Sequence, residues 1–450
     1  MKRHLHLNLF VMGRGHHESA WRHPLATRTS LTSFEHYQQL ALLAEKGLLD
    51  SIFFADILAF GGTGKQAPST QLEPLTLMAA LSSVTRHIGL VGTASTSYTE
   101  PFNLARQFAS LDHLSKGRVG WNIVTSWAKD AEANFGHDQQ PKHADRYAKA
   151  FEFMEVVTAL WDSWADDAVL DDVAAGVYME PSRVRAIHHR GELLRVQGPL
   201  NIPASPQRHP VLFQAGSSTD GQRFAARYAE AVFTAHPHIE SAQAFYQSLK
   251  QQVVAAGRTA HSVKVLPGLS AVVADSDANA QRILTELNEL TAIETGLAHL
   301  SNRFGGYDFS GLELDRTLSL DDFPDPDLVQ AAKSRAGVIT DMVKAQRLTL
   351  RQLLTALAGA RGHFALAGSP ERIADTMQHW FENGAADGFN LMPPILPAML
   401  DTFIEHVIPI LQRRGLFRHA YHEGTLRERY GLQRPESRYF AGISRSLSGA

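Results

Sequence analysis

The chain contains no cysteine, so disulfides, thiolate metal sites, iron–sulfur clusters and a cysteine nucleophile are all excluded. Nor does one sign of charge dominate. The 43 Lys and Arg stand against 46 Asp and Glu, and the net charge of −3 gives no electrostatic ground for a nucleic-acid partner. No apolar run approaches the roughly 18 to 20 residues of a membrane helix. The strongest, Ile52 to Phe60, contains Asp56. The stretch Leu5 to Met12 after Lys2-Arg3 is broken by His6 and Asn8 and is followed by no small-residue cleavage site, so the reading is a cytoplasmic protein without a secretory signal. What is present is an ordinary globular composition, 44% hydrophobic and 20% charged, over 450 residues, with 22 His to keep imidazole chemistry available.

The hydrophobic pattern alternates strand and helix. His4 to Phe10 has period two, and Ser51 to Ala55 is a continuous apolar run ending in Asp56, as a strand buried on both faces requires. Strands near residues 4, 51, 88, 118, 211, 231, 264 and 388, nearly all followed by helical periodicity, make eight units. Eight βα units predict an α/β fold of the (β/α)₈ TIM-barrel type, with an open doubly wound sheet as the alternative. We expect one domain over 1–432 with insertions near 126–142, 162–208 and 295–337, and a C-terminal tail over 433–450. Asp275 to Leu300 and Leu328 to Ala358 each read as helical.

In such a barrel, chemistry sits at the C-terminal strand ends. These supply Asp56, Thr93 to Thr96, Asn122, Thr125, Gln214 to Ser218, and Asn390 to Met392. Asp56 alone reads equally as a helix cap or loop carboxylate. Gln214-Ala215-Gly216-Ser217-Ser218 leads from an apolar strand into a helix, where free N–H groups and two hydroxyls favour a phosphate; the plainer alternative is a Ser cap on an ordinary turn. Gly61 to Lys65 lacks the spacing of a P-loop, and no Gly-x-Gly-x-x-Gly dinucleotide turn is present. His143 and Tyr147, four apart at a helix start, share one face and suit either a ligand or packing. His4-x-His6 is similar to the metal-binding pair of amidohydrolase barrels, yet no further ligand set accompanies it, so no metal site is expected.

Several segments together resemble the bacterial-luciferase-like flavin monooxygenases, in the branch acting on nitrilotriacetate, EDTA, dibenzothiophene sulfone and long-chain alkanes. They are Trp21-Arg22-His23-Pro24, Phe54-Ala55-Asp56, Leu111 to Arg118, Trp121 to Ser126, His143-Ala144-Asp145-Arg146-Tyr147, Gln214 to Ser218, Asp387 to Leu391 and Pro409 to Leu416, in family order. The resemblance implies a (β/α)₈ barrel with FMN in its mouth, delivered as FMNH2 by a separate NAD(P)H:FMN reductase. O2 would be the co-substrate, and a small organic molecule would be oxygenated through a C4a-(hydro)peroxyflavin. It implies Asp56, Thr93 and Asn122 near the isoalloxazine and His143, Tyr147, Ser217 and Ser218 on the ribityl phosphate side. His16, His17 and His23, in the loop after the first strand, become candidates for the substrate side, and His143 is an alternative partner of the peroxide. The family also implies a homodimer or homotetramer.

Some alkane-oxidising members carry a Cys where this chain has Arg14 near Gly15-His16, so a thiol-dependent version is excluded. Arg14 and Arg22 hint at an anionic substrate, or are loop arginines paired locally. Ser301 to Gly311 and the insertion after Trp161 are lid candidates. Two rivals stand beside this reading: a metal-dependent TIM-barrel hydrolase, and a non-catalytic flavin-binding protein. Deazaflavin-dependent reductases share the superfamily fold but not the detailed motifs.

Overall fold

All eight strand positions are strands in the computed structural model, which describes residues 3–60, 72–126, 131–139, 141–324 and 333–441. They are β1 (His6–Val11), β2 (Ser51–Phe54), β3 (Gly89–Ser95), β4 (Val119–Val124), β5 (Val211–Gln214), β6 (Ala231–Thr234), β7 (Lys264–Val273) and β8 (Gly388–Leu391). Each runs parallel to the next, and β8 returns to β1 with His6 opposite Gly388, which closes the barrel. Closure leaves none of the eight barrel strands as an edge, so strands as short as β2 need no further protection. Gly61 to Lys65 lies outside the described residues.

Helices α1 (Phe34–Lys46), α2 (Pro74–Val84), α3 (Pro101–Ser115), α4 (His143–Trp161), α5 (Thr219–Tyr228) and α6 (Ile239–Ala255) follow the first six strands and cover the barrel. The long connection after β7 carries α7 (Asp277–Glu289), α8 (Ile293–Arg303), α9 (Lys333–Gln346), α10 (Leu350–Ala360) and α11 (Pro370–Glu382). Each helical reading there divides. The 275–300 stretch breaks between α7 and α8, and the 328–358 stretch breaks after Gln346, where Arg347 turns left-handed at φ 50° and a Thr349/Gln352 capping box restarts α10. α8, α9 and α10 share an apolar cluster of their own, built on Leu300, Phe304, Phe309, Phe323, Ile339 and Leu353.

Two further features go beyond the sequence reading. A ninth strand, Phe364–Gly368, pairs with the outer half of β7, Leu269 to Val273, and lengthens that wall past the barrel. The 162–208 segment forms two small antiparallel hairpins, Val169–Asp172 with Val177–Met179 and His189–Arg190 with Arg195–Val196. Residues 433–441 pack onto that segment: Arg434 pairs with Asp166 at 2.6 Å, and Arg438 reaches Asp162 at 2.9 Å.

The barrel interior is layered. At mid-height Phe10, Phe53, Phe213 and Phe233 meet at ring distances of 5.0 to 6.4 Å. Beneath them Asn8 donates to Asn390 at 2.8 Å and accepts from Ser51 and Tyr430, so Asn390 lies deep in the interior, away from the mouth. Leu426, Tyr430 and Leu432 plug the lower end. His6, hydrogen-bonded to Asp50 and stacked on Tyr430, belongs to this end too, opposite the strand C-termini. Among the described residues no three His, Asp or Glu side chains converge as a metal site, and no helix is long and apolar enough to cross a membrane.

The plug is held by Arg427, 1% exposed, whose guanidinium bonds both oxygens of Glu230 and the carbonyls of His209 and Pro210. Truncating it strands a largely enclosed carboxylate and two carbonyls. We expect Arg427→Ala to cost about 3–5 kcal/mol in urea unfolding, and Arg434→Ala, a surface pair, less than about 1 kcal/mol.

Candidate active site

Polar side chains cross the mouth along β3, β4 and β5. Thr93 donates to the Phe54 carbonyl at 2.8 Å and accepts from Asn122 Nδ2 at 2.8 Å, their strands being in register at these residues. Asn122 Oδ1 is buried without a hydrogen-bond partner, and so is Gln214 Oε1. Further along, Ser126 donates to Ser95 at 2.7 Å, Ser97 to the Thr125 carbonyl at 2.8 Å, and Lys149 Nζ to the Ser97 carbonyl at 2.8 Å. The Tyr147 hydroxyl then lies beside Thr125, Ser218 and the Gly216 turn, which carries the band to the start of α5.

That start is a turn without steric room. A Cβ on Gly216 would fall 2.3 Å from Gln214 Nε2 and 2.9 Å from the Tyr147 hydroxyl, so any larger residue would displace these two side-chain ends. Ser218 caps α5, accepting from the Gly221 N–H at 3.2 Å, while Ser217 is half-buried with its carbonyl on Gln222. His143 opens α4, its Nδ1 3.1 Å from Asp220 and its ring 4.9 Å from that of Tyr147. The structure therefore brings His143, Tyr147, Ser217 and Ser218 together at two helix N-termini, where the backbone dipoles favour an anion. Arg146, buried beside Tyr147 with Nε and Nη1 unpartnered, adds a positive charge that the sequence reading did not single out.

Asp56 follows β2 at the rim. Burial lifts its carboxyl to about 6, with the Ile57 N–H pulling it down and the Glu73 charge pushing it further up.

Across the mouth, on the arc from β7 through β8 to β1, the loop after β1 is pinned to the loop after β8. The Cβ of any other residue at Gly15, φ 139°, would overlap the Pro394 carbonyl, and this close approach allows the His16 N–H to reach the Pro393 carbonyl at 2.9 Å. His16 is fully buried. Its Nε2 lies 2.9 Å from the Phe10 carbonyl, which can only accept, so Nε2 carries the proton and Nδ1 is left as a buried lone pair without a partner. Burial first, then the Arg361 charge, holds this imidazole at about 3, so it is neutral at physiological pH. His17 is likewise pushed down by burial and is fixed between Asn288 and the Ser19 N–H. His23 faces α7, with its Nε2 3.5 Å from Glu286 and its Nδ1 accepting from Leu25. Arg14 and Arg22 rest on the carbonyls of Thr29 and Leu290.

A charged group missed from sequence lies on this arc. Glu18, 4% exposed, bonds His299 of α8 at 2.5 Å. Burial raises its carboxyl, but the His299 bond and the charges of Arg361 and Arg303 outweigh it and hold the group below the usual range. Arg361 also touches Met12 Sδ at the end of β1. These residues come from three distant segments, and only the Gly15 turn and the α8–α10 packing bring them together; no local motif marks them.

The Asp56 carboxyl is neutral in folded and unfolded chains only well below the ordinary value of 3.8, and ionising it costs stability increasingly from there to about 6, fully so above that. Asp56→Asn is expected to stabilise the protein at pH 8 by about 1–2 kcal/mol, discounted for its partial exposure, and by progressively less towards pH 5, measured by urea unfolding at each pH.

Residues 14–387 match the family model described as luciferase-like monooxygenase. The chain is 44% identical over 438 residues to the N-acetyl-S-(2-succino)cysteine monooxygenase of Bacillus subtilis (strain 168), covering 97% of this chain and 99% of that one. It is 43% identical to the nitrilotriacetate monooxygenase component A of Aminobacter aminovorans, covering 96% and 97%. Among solved structures, riboflavin lyase with modified FMN and its substrate riboflavin superposes with a TM-score of 0.85 at 33% identity, covering 96% of this chain and 97% of that one. A closed eight-stranded barrel with a polar mouth, matched over nearly its whole length by these enzymes, belongs to the luciferase-like monooxygenases.

Proposed function

We propose that this chain is the oxygenase half of a two-component flavin system: it takes FMNH2 from a separate NAD(P)H:FMN reductase and uses O2 to oxygenate a small organic molecule. The observation that carries the reading is the polar band running from Asn122 and Thr93 to the α5 N-terminus, a path with hydrogen-bonding groups at one end and an anion site at the other. Two supports come from related proteins. Riboflavin lyase was solved with modified FMN, and the nitrilotriacetate enzyme is named as a component A, which implies a second component.

The residues present fit FMN. Asn122 Oδ1 and Gln214 Oε1 are buried acceptors awaiting a donor, and an isoalloxazine edge or ribityl hydroxyls supply donors. In our assignment Asp56, Thr93 and Asn122 hold the ring system, while His143, Tyr147, Ser217 and Ser218 hold the phosphate. The bound reduced flavin supplies two electrons to O2, so that one oxygen atom enters the substrate and the other leaves as water.

The chain's own groups orient, protonate and keep water out. The phenylalanine layer closes the mouth from below, and the α8–α10 unit supplies a cover on the substrate side. Asp56, poised at about 6, can hold or release a proton near neutral pH. His16 is too weak a base to take one, and in our reading its Nδ1 accepts a hydrogen bond at the reacting end of the mouth. His143, oriented by Asp220, belongs in this scheme to the phosphate end, and His23 positions the first loop through Glu286.

A carboxylate at position 217 would face the phosphate as a like charge. Ser217→Asp should raise the FMN dissociation constant about tenfold or more, against at most about threefold for Ser217→Ala, by fluorescence titration. Equal values for the two variants would remove the phosphate assignment. The reductase requirement predicts that the isolated chain does not oxidise NADH or NADPH, and that adding a flavin reductase and FMN starts substrate turnover. Product formation from NADH without a reductase would count against it.

A further inference from the structure

We propose that Met12 is an oxidation site of the enzyme itself: its thioether takes an oxygen atom from hydrogen peroxide formed in the mouth when reduced flavin is spent without substrate, and becomes the sulfoxide. The source of the peroxide rests on the oxygenase reading; the choice of target rests on where the sulfur lies.

Met12 is the first residue past β1, and side chains alternate along a strand. Asn8 is in register with Ser51 and Asn390, and Phe10 with Phe53. Two residues beyond Phe10, Met12 therefore faces inward one level above the phenylalanine layer, level with Ala55, and both pack on that layer. The register of β2 with β3, Phe54 opposite Gly92, puts Thr93 at the same level. The sulfur is thus two strands away from a residue we assign to the flavin ring. Among the described methionines, Met78, Met154, Met342, Met377, Met392 and Met399 are buried, and only Met12 and Met179 are partly open. Met392, at the end of β8, shows the contrast: it belongs to the phenylalanine layer and is closed over at 1% exposure. Met179 lies outside the barrel, in a hairpin of the 162–208 segment.

A thioether needs no deprotonation to react. A sulfur lone pair takes one oxygen of the peroxide, and the S–O bond forms as the O–O bond breaks. The departing hydroxide takes the proton from the transferred oxygen and leaves as water, so sulfur loses two electrons and the peroxide gains them. That peroxide forms wherever FMNH2 meets O2 with no substrate to take the oxygen, FMN being the other product. The Arg361 guanidinium touches Met12 Sδ, so its N–H groups stand where the new oxygen arrives, and a sulfoxide oxygen is a far better acceptor than a thioether. Oxidation therefore turns part of an apolar floor polar and ties it to a charged side chain.

The test is peptide mass spectrometry of the full chain after incubation in air with FMN, NADH and a flavin reductase but no organic substrate, with catalase present to clear peroxide from bulk solution. We expect Met12 sulfoxide to form about fivefold or more faster than Met179 sulfoxide, with Met392 left reduced. Peroxide supplied from outside at the same rate by glucose oxidase, under the same catalase, should leave all three reduced. Met12 oxidised no faster than Met179 in the flavin system, or oxidised as fast by the outside supply, would overturn the proposal. A fluorescence titration of FMN on the same sample tells two failures apart. No FMN binding removes the flavin reading and the Met12 assignment together, whereas bound FMN with Met12 no faster than Met179 removes the Met12 assignment alone.

Discussion

Four phenylalanines, Phe10, Phe53, Phe213 and Phe233, decide where anything polar can live in this barrel, because they fill its waist with rings in mutual contact and leave no place there for water. A polar group below them must be satisfied by protein, and one above them is available to a ligand. The lower end is close to the first case: Asn8 bonds Asn390, Ser51 and Tyr430, and Asp50 is shared by His6 and Arg418, while Asn390 Nδ2 stays open. The upper end shows the second, with acceptors on Asn122 and Gln214 and a lone pair on His16 left open.

The mouth divides its electrostatics by arc. From β2 to β5 hydroxyls, amides and two helix N-termini predominate, with Asp56, Arg146 and Lys149 as charged side chains among them. From β7 to β1 they are ionised side chains around one carboxylate, screened little because they are shielded from solvent. Burial holds His16 and His17 uncharged, so they add nothing to the charges of Arg361 and Glu18.

How much of this could be read beforehand follows from which interactions are local. The strands are legible because each is an apolar run set by two-sided burial, and the turn at the start of α5 because its Gly-Ser-Ser precedes a helix directly. The break at Arg347 left a local mark in Thr349 and Gln352, a capping box hidden by strong helical periodicity on both sides. The ninth strand had no such mark: Phe364–Gly368 is five residues of weak alternation, stabilised only by pairing with the outer half of β7. The Glu18, His299, Arg303 and Arg361 group was out of reach altogether, since its members lie in three segments brought together by tertiary packing.

The ninth strand also bears on how such an enzyme diversifies. By extending β7 beyond the barrel it packs beside α10 of the α8–α10 unit, and that unit has its own apolar core. A part that folds around its own core on one side of the mouth can drift in sequence, length and charge while the opposite arc stays unchanged. Substitution there would alter what is oxidised without disturbing how oxygen is activated, so the architecture lends itself to acquiring new substrates on an old reaction.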